Sequence, residues 1–584
     1  MVATAGPDGR DRRAAGVTGR HVIALGLAVA VAAALLAGVD DYGLRLLTLA
    51  AIYAIAVLGY QLALGHAGVL SLAQGAFFGV GAYVSGILTT THGWDGAPAL
   101  AAGALTAAGL AAFVAVPVLR LETHYFALAT LAIAEVVHLL AVNWTEMTGG
   151  ANGIYGVPPL ALFGFVLAPG WPLLIAVSGV LAAMIALATW RVGGRRRLVL
   201  ALARTAPLAA DCLGIARRAL RFELFVLGAG MGGLAGALQG HTVGVVSPAV
   251  TDFALMVSFL VAALIGGRDR IVGAVIGALL VVHLPEWLRL FDVYYLAIYG
   301  VALLAVIILA PAGLAGLLPA AGTRPPNDPA SPPRRWQGGS LDAQDLRKRF
   351  GGVVAVDGVD IVLPTGRITG IIGPNGSGKT TLLNLITGLV AADDGSVTID
   401  RARLDPMAAD QRARAGLARG FQHPEVDGEQ TVWAAVMAAQ PLNRSMARAR
   451  AQGAAALAAM DLGGWSRAIN DLTPAECRRL DIARALANRP RVLLLDEPAA
   501  GLTDGEQTAL AHNLRRLADG GLTVAVVEHG MRFLLPLADR VICLDRGRVI
   551  AVGTPAEVVA APAVIDSYLG REAGAAATNL LGGA

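Results

Sequence analysis

The chain is 584 residues long, with room for several domains, and carries a formal net charge of +4 with a pI near 9.1. It is 55% hydrophobic and 15% charged, with a mean hydropathy of +0.62, which excludes an ordinary soluble enzyme and points to membrane spans. The basic excess is arginine beside apolar runs without interleaved aromatics, so it reads as membrane topology and not as nucleic-acid binding.

Residues 1–20 are polar and Arg-bearing and read as a cytoplasmic tail. The apolar run 22–38 resembles a signal peptide, but more such runs follow at once, so it is expected to stay as a first span. Further segments of spanning length fall near 44–64, 69–90, 98–119, 124–142 and 171–190. A basic stretch follows, with Arg191, Arg195, Arg196, Arg197, Arg204, Arg217, Arg218 and Arg221. Four more segments lie near 222–240, 252–267, 270–288 and 293–311, about ten in all. Positive charge marks the cytoplasmic side, so the tail and the basic loop face inward; an even number of spans joins them, and an even number leads on to the C-terminal half. Arg120 and Arg268-Asp269-Arg270 also fall inside, and Asp40-Asp41 outside.

Glycines such as Gly75, Gly79, Gly81 and Gly86, or Gly228, Gly230, Gly232, Gly233 and Gly236, suit close helix packing and broken helices around a path. Glu135 and His138 stand three apart on one helix face. A charge in lipid is costly, so both are expected to face the bundle interior or water, as a structural pair or as the lining of a solute route. Three cysteines, Cys212, Cys477 and Cys543, lack the spacing of a disulfide frame or zinc site.

The assigned domains are therefore the tail at 1–20, a helical membrane domain at 21–318, a linker at 319–340 and an α/β domain with C-terminal tail at 341–584. The linker is rich in proline and has nothing to bury. In the last domain an apolar run, 368–372, leads into Gly373-Pro374-Asn375-Gly376-Ser377-Gly378-Lys379-Thr380-Thr381 and then a helical pattern. Strand, glycine loop and helix are the context of a phosphate-binding P-loop. The loop N–H groups and the helix N-terminus favour an anion, Lys379 reaches the outer phosphates, and the Thr380 hydroxyl faces Mg²⁺. Only Lys348 and Lys379 are lysine; every other basic residue is arginine, so Lys379 marks a place that needs a compact ammonium. Downstream, the apolar run 492–495 ends in Asp496-Glu497, placed to hold Mg²⁺ and to polarise water. A further apolar run, 524–527, ends in Glu528-His529, whose imidazole suits a γ-phosphate contact.

With these motifs in order, residues 341–570 resemble the ATP-binding subunit of an ABC transporter. The resemblance implies adenine stacking on Phe350, a Gln422 loop joining Mg²⁺ to the membrane domain, Asp496 as metal ligand, Glu497 as catalytic residue and His529 as switch. The wording Arg349-Phe350-Gly351-Gly352 and Asp496-Glu497-Pro498-Ala499-Ala500-Gly501-Leu502 is especially similar to branched-chain amino acid importers. In the membrane half, Gly65-His66-Ala67-Gly68, Gly79-Val80-Gly81-Ala82-Tyr83, Tyr125-Phe126-Ala127-Leu128-Ala129-Thr130-Leu131, Thr148-Gly149-Gly150-Ala151-Asn152-Gly153-Ile154 and Pro311-Ala312-Gly313-Leu314 resemble their permeases. The signature segment of the family appears as Leu472-Thr473-Pro474-Ala475-Glu476. Thr473 keeps a hydroxyl for the nucleotide across a dimer, but Ala475 is bulkier than the usual glycine and Glu476 adds like charge near phosphate, so a weakened clasp and an asymmetric dimer are expected. The segment Arg204-Thr205-Ala206-Pro207-Leu208-Ala209-Ala210-Asp211-Cys212-Leu213-Gly214 departs from the acidic coupling segment of the permeases, yet it is still expected to dock on the ATPase.

The expected protein is a multi-pass α-helical membrane domain followed by an α/β P-loop ABC ATPase, in the cytoplasmic membrane with the ATPase inside. The resemblance implies ATP-driven import of branched-chain or similar aliphatic amino acids, with ATP and Mg²⁺. It also implies membrane lipid, a second permease, a second ATPase and an extracytoplasmic solute-binding protein as partners, and no nucleic acid. Import of urea or short amides, a membrane-anchored regulatory ATPase and an exporter are the rival readings.

Overall fold

A computed structural model describes residues 40–121, 123–162, 164–288, 294–317, 335–421 and 430–569. The first candidate span, most of the linker and Gln422 lie outside the described residues. Contacts divide the described chain into two compact units: 40–62, 70–187 and 226–317 in the first, and 63–69, 188–225 and 335–569 in the second. The second unit thus takes in the basic loop that the sequence reading left with the permease.

The first unit is helical. Asp40 starts α1 (Asp41–Gln61) by accepting the Gly43 N–H at 2.9 Å. There follow α2 (Gln74–Thr90), α3 (Gly96–Val118), α4 (Thr123–Asn143) and α5 (Trp171–Val192). The basic loop forms α6 (Arg195–Thr205) and α7 (Pro207–Cys212), and the membrane helices resume with α8 (Arg217–Val243), α9 (Phe253–Gly266), α10 (Ile271–Leu288) and α11 (Tyr295–Leu309). Nine of the expected spans are therefore helical. Among the described residues six helices are long and apolar enough to cross a membrane, whereas α2, α9 and α11 have 17, 14 and 15 residues. At α9 the cause is local: a turn of 3₁₀ helix at Pro248–Thr251 precedes it, and Gly267, at φ +109°, ends it. The small residues do bring backbones together: a Cβ on Gly81 would lie 1.9 Å from the Gly233 carbonyl oxygen.

In the second unit, β1 (Leu341–Phe350), β2 (Val353–Leu363), β3 (Ile368–Ile372), β4 (Asp394–Ile399) and β5 (Ala402–Arg403) come first. They are followed by β6 (Leu417–Gly420), β7 (Val492–Asp496), β8 (Thr523–Val527), β9 (Arg540–Asp545) and β10 (Arg548–Gly553). One sheet runs β6-β7-β8-β3-β9-β10, parallel except for the β9–β10 hairpin; a second, antiparallel sheet runs β2-β1-β4-β5. Strands β3, β7 and β8 are buried along their whole length, which explains why they read as unbroken apolar runs. Helices α12 (Lys379–Thr387), α13 (Val432–Ala438), α14 (Met446–Ala459), α15 (Pro474–Leu486) and α16 (Asp504–Asp519) complete the elements that matter below. Trp433, 1% exposed and stacked on Trp465 at 5.7 Å between ring centroids, anchors the core around α13 to α15.

Candidate active site

The parallel register fixes where the chemistry lies. Asp496 stands beside Val527 and Val527 beside Ile371, so the ends of β7, β8 and β3 are level. The P-loop, Asp496-Glu497 and Glu528-His529 therefore leave the same sheet edge, where the carboxyl ends of parallel strands leave room for a ligand. The P-loop fits tightly: Gly373 has φ +149°, and a Cβ there would meet the Leu544 carbonyl oxygen at 2.1 Å. Lys379 begins α12 and is 7% exposed, and its Nζ donates to the Gly373 and Pro374 carbonyls at 2.8 Å each. Burial pushes its ammonium pKa down, and the charges of Glu497 and Asp496 oppose that. Asn375, Gly376 and Thr380 are exposed, Pro374 and Thr381 half-buried. Ser377 Oγ is buried without a hydrogen-bond partner.

Glu497 occupies a left-handed backbone conformation, φ +48°, while its N–H donates to the Val527 carbonyl at 2.9 Å. That twist sits at the position assigned to catalysis, where strained backbone is often found. Its Oε1 lies 3.1 Å from His529 Nε2. Glu528 turns the other way, is 4% exposed, and accepts the Ala499 N–H at 2.7 Å. Burial raises its carboxyl pKa, and the nearby Glu497 charge adds to the rise.

Arg419, on β6, went unnoticed in the sequence. Its Nη2 donates to Asp496 Oδ2 at 2.9 Å, with the two side chains 3% and 7% exposed, and its Nη1 donates to Asn384 Oδ1 at 2.5 Å. The guanidinium also stands 5.0 Å from the centre of the Phe421 ring. Phe421 in turn is held by α15: its N–H donates to Asp481 Oδ2 at 3.0 Å and its carbonyl accepts from Arg478 Nη1 at 2.6 Å. An arginine inside a buried strand was the available signal, but its counter-ion lies 77 residues away.

The signature segment corrects one expectation. Thr473 caps α15, its Oγ1 accepting the Glu476 N–H at 3.2 Å while Glu476 Oε2 accepts the Thr473 N–H at 2.9 Å. Arg467 Nη1 donates to Glu476 Oε1 at 2.8 Å. That hydrogen bond holds the Glu476 carboxyl below its usual pKa and places a cation against its charge. Glu476 is thus a paired capping residue and not a bare charge aimed at phosphate. Ala475 is buried. Phe350 is half-exposed at the end of β1, with the Lys348 ammonium 5.5 Å from its ring centre. Gln422 falls outside the described residues.

Helices α6 and α7 belong to the same unit as this site. Arg195 Nη2 donates to the Pro441 and Arg444 carbonyls at 2.8 and 3.1 Å. Asn488 Nδ2 donates to the Leu213 and Ala439 carbonyls at 3.0 Å each, and Arg414 Nη1 to the Gly214 carbonyl at 3.2 Å. Val199, Leu202, Ala206 and Leu213 share a small core with Ala438 and Ala439, and Phe421 packs against it. The basic loop is therefore a two-helix dock, with Asp211 drawn back to Arg217 at 2.8 Å.

A P-loop, two carboxylates at the neighbouring strand end and a histidine within reach define an ABC-type ATPase, an ATP-binding hydrolase, joined to a helical permease. Residues 42–311 match the branched-chain amino acid transport system permease component, 356–500 the ABC transporter family, and 548–574 the branched-chain amino acid ATP-binding cassette transporter family. The chain is 35% identical over 249 residues to the high-affinity branched-chain amino acid transport ATP-binding protein LivG of Salmonella typhimurium, covering 40% of this chain and 98% of the relative. Protein BraF of Pseudomonas aeruginosa, of the same description, is 32% identical over the same shares. A nucleotide-free ATP-binding cassette from an ABC transporter is 27% identical, with 40% of this chain and all of that one covered and a TM-score of 0.37. The chain belongs to the branched-chain amino acid ABC transporter family, as a permease fused to its ATPase.

Proposed function

We propose that this protein drives the import of branched-chain or similar aliphatic amino acids across the cytoplasmic membrane, with its ATPase on the cytoplasmic side. The observation that carries this is the covalent union of a permease of this family with an ATPase whose site residues converge on one sheet edge. Such a chain works with a second permease, a second ATPase and an extracytoplasmic solute-binding protein. The domains follow as a tail (1–20), a permease (21–318) with its loop α6–α7 given over to docking, a tether (319–340) and the ATPase (341–584).

The P-loop N–H groups and Lys379 bind the phosphates, Ser377 Oγ gains the partner it lacks, and Phe350 stacks on the base. Thr380, Asp496 and Gln422 would hold Mg²⁺, whose charge neutralises the phosphate oxygens. The Ser377 hydroxyl, without a partner among the described residues, and the Asp496 carboxylate, which accepts from Arg419 Nη2 at Oδ2, fit that arrangement. Glu497 accepts the proton of the attacking water, and His529, 3.1 Å away, orients that carboxylate. Because Ala475 is buried and Thr473 is engaged in its own cap, the clasp this chain offers across the dimer is weak. The dimer then has one hydrolytic site, at this chain's P-loop, and one that mainly binds.

The test is reconstitution of the complete transporter in proteoliposomes, with leucine uptake and ATP hydrolysis measured together. ATP-dependent uptake that requires the solute-binding protein is expected. Hydrolysis without uptake of any amino acid, urea or amide would favour a regulatory ATPase instead.

A further inference from the structure

Glu135 sits near the middle of α4: at about 1.5 Å per residue it is about 18 Å from one end of the helix and about 12 Å from the other. Val136, Leu139 and Leu140 around it are exposed, and so is Glu135. Apolar side chains suit a lipid-facing helix, but a carboxylate at mid-span does not. Among the described residues no hydrogen bond or ion pair holds it.

One turn along the same face, His138 Nδ1 lies 2.8 Å from Thr251 Oγ1 and 3.3 Å from Asp252 Oδ1. The single hydroxyl proton of Thr251 goes to the Pro248 carbonyl at 2.6 Å, so Nδ1 carries a proton and donates to Oγ1. This ties α4 to the start of α9 and leaves Asp252, its side chain 47% exposed, on the same open side. Two carboxylates and an imidazole thus share a side of the first unit that is otherwise dressed for hydrocarbon.

We propose that this side borders a water-filled solute path, and that Glu135, with Asp252 positioned through His138, receives the α-ammonium group of a zwitterionic amino acid. An ammonium offers three donors and no acceptor, which suits ionised carboxylates, whose oxygens only accept. The wall opposite is a second permease domain, since lipid cannot cover a charge at this depth. The inference rests on the amino-acid importer reading and adds the group that meets the solute.

Cysteine accessibility tests it in the assembled transporter in proteoliposomes. Glu135→Cys is compared with Phe113→Cys, whose native side chain is 80% exposed on α3, and with the parent chain to subtract Cys212, Cys477 and Cys543. A charged, water-soluble thiol reagent is expected to modify Glu135→Cys about tenfold faster than Phe113→Cys, because a thiol in lipid meets little reagent. Leucine-loaded binding protein should slow that modification. Equal rates at the two positions, or no protection by leucine, overturn the proposal. In parallel, Glu135→Gln should lower leucine uptake about tenfold or more, the loss expected when a charged group gives up its hydrogen-bond partner, while Glu135→Asp retains it. Undiminished uptake by Glu135→Gln also overturns it. If the wild-type complex imports no amino acid, the importer reading fails separately, and the labelling contrast still decides whether Glu135 faces water.

Discussion

Replacing Arg419 by Met removes the cation from a pair in which both members are almost wholly buried, at 3% and 7% exposure. The methionine fills much of the same volume, so the loss is mainly electrostatic. Leaving a buried carboxylate without its partner costs about 3–5 kcal/mol. For a unit of this size each kcal/mol lowers Tm by about 2–4 °C, so Arg419→Met should melt about 6–20 °C below wild type. The full-length protein in detergent is followed by tryptophan fluorescence, with Trp433 and Trp465 as reporters inside the ATPase core. Two features separate a missing counter-ion from general damage. Arg419→Met with Asp496→Asn should recover most of the loss, since removing both members of a buried pair is often nearly neutral. Saturating Mg²⁺ and ATP should narrow the deficit of the single variant, because a cation then stands beside Asp496. A drop below about 2 °C, under the cost of one kcal/mol, or a double variant as unstable as the single one, would refute the reasoning.

Glu497→Gln keeps shape and hydrogen bonding but cannot accept a proton, so hydrolysis should fall by about 10² or more while fluorescent-ATP binding persists; substantial residual turnover in the reconstituted complex argues against the asymmetric dimer. Asn488→Ala deletes the 3.0 Å bond that ties the end of α7, at the Leu213 carbonyl, to the ATPase, together with a second bond inside the ATPase to the Ala439 carbonyl, a loss of about 1–3 kcal/mol, and should uncouple transport, with leucine uptake falling more than ATP hydrolysis. Equal losses of both would point to a folding defect. Glu528 holds its proton longer in the folded state than in the unfolded one. Stability therefore falls as pH rises from the ordinary glutamate range, about 4.3, through the raised folded value, and is level above it. Glu528→Gln keeps an acceptor for the Ala499 N–H and removes that fall, so its Tm advantage over wild type should widen across this window and then stay constant.

Local pattern carried much of this reading. The glycine loop, the two strand-end carboxylates and His529 were legible because each belongs to a buried strand followed by a turn, a context spelled out within about ten residues. The helical spans were legible for the same reason: the run expected near 252–267 forms α9, Phe253–Gly266, a short helix that Gly267 ends. Glu476 misled because its charge was visible and its two companions were not: the Thr473 cap is local, but Arg467 pairs with it only once the turn before α15 is folded.

Composition, periodicity and short motifs were enough to establish a membrane half, an ATPase half and the residues proposed to meet phosphate. They act through neighbours in the chain, and strand and helix periods make such neighbours predictable. Everything that joins those parts came from tertiary structure. Arg419 meets Asp496 from 77 positions away, Asn488 meets Leu213 from 275, and Asp252 reaches His138 only through the fold. Pairings of that kind depend on which strands are adjacent and how helices dock, and no local period encodes them.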